Sequence, residues 1–148
     1  MINFLKVFAL MGIMVAILFG SAGRFDLPFV WATVGVYITF MTGMAFVMDR
    51  DLMKERMNPG PGGKDRSERV VMIPVIFGQW TIAGLDVGRF HWSDTVPVPL
   101  QIAALGTFAL GLGLAGLAMN ANRFFSPVVR IQAERGHHLI TAGPYRYV

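Results

Sequence analysis

Four long apolar runs separated by short polar connections dominate the chain: Ile2 to Ala22, Pro28 to Met48, Val70 to Leu85 and Val96 to Met119. A helix rises about 1.5 Å per residue, so about 20 residues cross the roughly 30 Å apolar core of a bilayer. The first, second and fourth runs reach that length. The third is shorter and must borrow flanking residues, thin the bilayer or stay partly buried among its neighbours. Lipid cannot satisfy exposed backbone groups, and nothing in the chain shows the alternating strands of a membrane barrel, so the spans are helices. The pattern predicts an all-α, polytopic integral membrane helical bundle. Residues 1–148 form one membrane domain of about four transmembrane helices, with a short cytoplasmic C-terminal segment over 120–148.

The first run resembles a secretory signal, with Lys6 near its start and Ser21-Ala22-Gly23 at its end. Its apolar core is longer than a signal's, and a second full span follows closely, so it reads as a retained helix whose Lys6 snorkels to the headgroups.

Composition agrees with a membrane home. Hydrophobic residues make up 54% and charged residues 15% of the chain, and the mean hydropathy is +0.53. This excludes intrinsic disorder. The absence of cysteine excludes a disulfide scaffold, thiol catalysis and Cys-based metal sites. The net charge of +4 does not point to nucleic acid, because the basic residues lie in the connections, where they set topology. Arg50, Lys54, Arg56, Lys64, Arg66 and Arg69 fall between the second and third runs, and Arg123, Arg130, Arg135 and Arg146 follow the fourth; the other two connections hold only Arg24 and Arg89. That bias predicts a cytoplasmic large loop, C-terminus and N-terminus.

Small residues recur on one face of three spans: Ala9, Gly12 and Ala16; Ala32, Gly35, Thr39 and Thr42; Gly106, Ala109, Gly113 and Gly116. In lipid, such stripes let helices approach closely, which predicts a compact bundle. Asp26, Asp49, Asp86 and Asp94 all lie at run ends or in connections. An ion-coupled exporter needs an ionisable group deep in a span, so the pattern argues against a transporter. Gln79 is the most embedded polar side chain, with Trp80 beside it, and is expected to hydrogen-bond a neighbouring helix.

Asp49 to Met57 reads as a cytoplasmic extension of the second helix, ended by Pro59-Gly60-Pro61-Gly62-Gly63. Beyond Met119, Ser126-Pro127 forms a good helix start and Gly136 a good stop, predicting a short surface helix with Phe124 and Phe125 at the bilayer boundary. The final stretch collects His137, His138, a Gly143-Pro144 turn, Tyr145 and Tyr147. Two histidines are too few for a closed metal site, so no metal is expected. They suit a polar, partly aromatic ligand, but on pattern alone a surface turn is the favoured reading of the stretch.

The run from Asn122 through Phe124-Phe125-Ser126-Pro127 to His137-His138-Leu139-Ile140 and Gly143-Pro144-Tyr145-Arg146-Tyr147-Val148 resembles the start of a family signature. The family is that of the isoprenylcysteine carboxyl methyltransferases and their bacterial relatives, which include phospholipid methyltransferases. Glu55-Arg56 with Pro59-Gly60 and Lys64, and the block Gly84 to Ser93, resemble upstream parts of the same family in the same order.

The resemblance implies an integral membrane enzyme, here of a bacterial inner membrane, that transfers a methyl group from S-adenosyl-L-methionine. It implies a cofactor pocket on the cytoplasmic side lined by Gln132, His137, His138, Leu139, Ile140 and Tyr145. His137 aligns with the family's cofactor histidine and His138 with a variable position. The methyl chemistry belongs to the cofactor's sulfonium, so the protein's task is to bind, aim and exclude water. The implied acceptor is lipidic or a small hydrophobic molecule that enters sideways from the membrane lipids; its identity and the catalytic residues are not specified.

The family signature continues into Arg-His-Pro-x-Tyr, further helices and a C-terminal segment serving the substrate, whereas this sequence stops at Val148. The expectation is an N-terminal part with an incomplete cofactor site, inactive alone. The rival expectation is a non-catalytic four-helix membrane scaffold or partner protein.

Overall fold

The computed structural model describes residues 2–57, 66–126 and 132–147. Helix α1 runs Ile2–Ala22, α2 Pro28–Val47, α3 Arg50–Met57, α4 Arg66–Leu85 and α5 Val98–Ala121. A π-helical turn, Asp86–Phe90, prolongs α4, and two 3-10 turns, Ala133–Arg135 and Gly143–Tyr147, follow α5. The described residues contain no strand. Four helices are long and apolar enough to cross a membrane: Leu5–Ala22, Pro28–Val47, Val70–Phe90 and Val98–Ala121. The third reaches that length by borrowing the π-helical turn.

Local sequence explains the ends. Gly23 adopts a left-handed conformation (φ 73°) and donates its N–H to the Phe19 carbonyl at 2.9 Å, which closes α1 in the manner of a glycine C-cap. Pro28 opens α2 where a missing N–H costs nothing. The expected continuous extension of α2 is instead a separate helix. The chain turns extended at Met48 (ψ 132°), and the Asp49 carboxylate accepts the Asp51 N–H at 2.7 Å. An aspartate cap favours a new helix start over continuation. The Pro/Gly run expected to end this element, and Pro127 of the expected surface helix, lie outside the described residues. Among the described residues of that stretch the turn Ala133–Arg135 is helical, and Gly136 (φ 67°) stops it.

The helices stand as an open row rather than a closed bundle. Helix α1 packs between α4 and α2, and α5 joins through α2. Met11, Met14, Leu18 and Val34 form the buried centre, covered by Val15, Val30, Tyr37, Met41 and Trp80. The closest approach is made by α4: a Cβ at Gly84 would collide with the Leu18 carbonyl and Ser21, and one at Gly88 with Ala22. Bare backbone on α4 is what brings it against α1.

The anticipated stripes behave differently. A Cβ at Gly12, Gly35, Gly106 or Gly113 would meet nothing within 4 Å, while Gly116 receives Phe40 and Met44. Tyr37 and Phe108 also meet across this seam, with centroids 5.0 Å apart. Beside this seam Ala32, Gly35, Thr39, Ala109 and Gly113 face a groove of about 530 Å³. Gln79 is exposed and makes no hydrogen bond among the described residues, contrary to the expected bond with a neighbouring helix. It lies on the side of α4 turned away from α1.

The two ends of the row differ. At the α1–α2 turn, Phe19 stacks on Phe25 at 5.3 Å and meets the tilted Trp31 ring at 4.5 Å, and Trp31 Nε1 donates to the Phe25 carbonyl at 2.8 Å. The Asp86 carboxylate accepts the Ser93 N–H at 3.0 Å and the Ser93 hydroxyl. The opposite end carries α3 and the C-terminal segment.

Candidate functional site

The chain leaves α5 through an Asx turn in which Asn122 Oδ1 accepts the Phe124 N–H at 2.9 Å. This turns Phe124 inward. Phe124 is only 4% exposed, so it is a hub and not the boundary residue expected of it. His137 stacks on its ring at 4.7 Å and His138 meets it edge-on at 5.1 Å. The guanidinium carbons of Arg123 and Arg135 lie 5.3 and 5.8 Å from the ring centre, within cation–π range.

Gln132 is the second fixed point, 1% exposed. Its amide nitrogen donates to the Phe124 carbonyl at 2.7 Å, and its amide oxygen accepts from Arg135 Nη1 at 2.6 Å. Its backbone N–H donates to His137 Nδ1 at 3.1 Å, which assigns the proton of the neutral imidazole to Nε2. Gln132, His137 and His138 are therefore brought together around Phe124. With both ends of its amide engaged by the protein, Gln132 is a positioning residue for Arg135.

The other candidates stand apart from this hub. Leu139 is 85% exposed, Ile140 and Tyr145 are half-buried, and the turn Gly143–Tyr147 packs on the end of α5. A Cβ at Gly143 would lie 2.9 Å from that of Ala121, so glycine is what lets this turn seat there.

Across from Phe124 stands α3. Glu55 is buried and its carboxylate accepts the Ser126 hydroxyl at 3.1 Å, tying α3 to the segment after α5. Between them opens a cavity of about 690 Å³ lined by Asp49, Asp51, Lys54, Glu55, Arg123 and Arg135, within the size range of small-molecule sites. Three carboxylates and Lys54, whose ammonium lies 3.7 Å from the Asp51 carboxylate, line the α3 side, and two guanidiniums the other. Neither arginine forms an ion pair with Asp49 or Asp51. The Asp49 carboxylate and the two guanidiniums thus share the cavity without pairing directly.

His137 to Tyr145 stand outside the lining of this cavity. In the sequence Arg123 and Arg135 stand out as topology signals, Asp49 as an acid at the end of an apolar run, and Asp51 as part of a charged extension. Their convergence depends on the break at Met48, which the apolar pattern does not reveal. Comparison with family models, curated proteins and solved structures returned no match to this chain.

Proposed function

We propose that this chain is the membrane domain of an S-adenosyl-L-methionine-dependent methyltransferase of the isoprenylcysteine carboxyl methyltransferase type. The cofactor lies at the end of the row where α3 meets the C-terminal segment. The observation that carries the reading is the cavity with carboxylates on one wall and guanidiniums on the other, whose Arg135 is held by Gln132. The amino-acid end of the cofactor is a zwitterion. Its ammonium suits the carboxylates of Asp49 and Asp51, and its carboxylate suits Arg123 and Arg135, whose planar forks match that group.

The residues present fit that end of the molecule; Leu139, as exposed as it is, offers no wall for the nucleoside. When bound, the cofactor supplies an electrophilic methyl on sulfur. The chain's own part is to hold the charged end, with Gln132 and Phe124 fixing the arginines. Four apolar helices give a lipidic or small hydrophobic acceptor a lateral route to the site. The basic bias of α3, the adjoining loop and the C-terminal segment supports a cytoplasmic site, with both termini on that side of a bacterial inner membrane.

The test is calorimetric titration of the intact chain in detergent with S-adenosylhomocysteine. Saturable binding, weakened about tenfold by Arg135→Gln as expected for a charged hydrogen bond, is the expected result. No heat from a folded sample contradicts the proposal. It favours the second reading, a non-catalytic four-helix membrane scaffold, which the 85% exposure of Leu139 and the internal engagement of Gln132 support.

A further inference from the structure

The outer face of α4 carries Met72, Val75, Ile76, Gln79, Ile82 and Ala83, all exposed. Their spacing of three and four residues places them on one stripe, as in a helix–helix seam. The side of α4 that meets α1 is a different one, carried by Trp80, Gly84 and Gly88. Helix α4 therefore has two seams, of which the described residues fill one.

Gln79 sits in the middle of the open seam. It lies nine residues into the apolar stretch Val70–Phe90, about 14 Å along the axis and close to the midplane of a bilayer. Its side chain is too short to reach the headgroups, and an amide facing hydrocarbon without a partner is costly. Arg, Lys or Asp at this depth would point to a water-filled path. An amide instead is both donor and acceptor, and so is complementary to itself.

We infer that α4 is the contact helix of a homodimer, in which Gln79 of one copy hydrogen-bonds Gln79 of the other. Copies inserted with the same topology are related by a two-fold axis along the membrane normal, and a residue beside that axis meets its own counterpart. Met72, Val75, Ile76 and Ile82 supply the packing on either side, and Ala83 lets the helices approach. The inference is independent of the methyltransferase reading.

The sequence contains no cysteine, so single introduced cysteines give a clean readout. The full chain in lipid vesicles is expected to form a disulfide-linked dimer on mild oxidation when it carries I76C or A83C, and not when it carries F77C or T81C on the other sides of the helix. Energy transfer between labelled copies is expected to show Q79L weakening association about tenfold, with Q79N retaining it. A monomeric wild-type chain, an unaffected Q79L, or equal cross-linking at all four positions overturns the inference. In those cases lipid, or a different helix, covers the seam.

Discussion

Gln132 holds Arg135 through a 2.6 Å hydrogen bond from the guanidinium to its buried amide oxygen, while the same amide donates to the Phe124 carbonyl. One side chain thus fixes both the aromatic hub and a charged wall of the cavity. Gln132→Leu leaves a buried carbonyl without its donor, which costs about 1–3 kcal/mol. The expected outcome is faster amide exchange over 132–147 with α1 and α2 unchanged, read by hydrogen exchange.

The α1–α4 contact makes a second prediction. A methyl group at Gly84 has no room beside Leu18 and Ser21, whereas Gly35 faces open space. Gly84→Ala is expected to destabilise the protein by about 1–3 kcal/mol, the range of overpacking, and Gly35→Ala to be neutral or mildly stabilising. Thermal unfolding of the two variants in one detergent checks the contrast.

At the opposite end, the Arg24 guanidinium donates to the Asp26 carboxylate. That bond holds the carboxyl below its ordinary 3.8, at about 2. Because the folded value is depressed, the contribution of the pair is complete above the ordinary value and is lost as pH falls through about 2. Carboxyl-carbon NMR of Asp26 is expected to titrate near that value, and Arg24→Gln to return it upward. The pair is exposed, so only a small change in stability accompanies this.

Topology is checked by labelling single introduced cysteines in sealed inverted inner-membrane vesicles. Lys54→Cys and Ala142→Cys are expected to react with an impermeant reagent and Thr95→Cys to be protected. Labelling of Thr95→Cys with protection of the other two reverses the assignment.

The four long helices were legible because length and apolarity are local properties: all four expected runs are helices, and three begin within two residues of the expected position. How they pack was not. The stripes on α1, α2 and α5 were expected to draw the bundle together, yet Gly12, Gly35, Gly106 and Gly113 meet nothing within 4 Å and only Gly116 among these glycines takes neighbours, Phe40 and Met44 of α2. The tight pair is Gly84 and Gly88, four residues apart as in a membrane packing motif. The pair was visible in the sequence but was read only as part of a family block.

At the site, Gln132 and His137 stood out by resemblance and do lie together. The charged walls did not, because Asp49 and Asp51 become a wall only through the Met48 break, and Arg123 and Arg135 only by packing on Phe124. Such long-range convergence leaves no periodic trace in one sequence.

The site's location is tested most directly by ultraviolet cross-linking of radiolabelled S-adenosyl-L-methionine to the intact chain, followed by peptide mapping. Label is expected in peptides containing Asp49 to Glu55 and Arg123 to His137, and competition by S-adenosylhomocysteine is expected to remove it. Absence of competable label, or label confined to the Phe25–Trp31 end, would contradict the account.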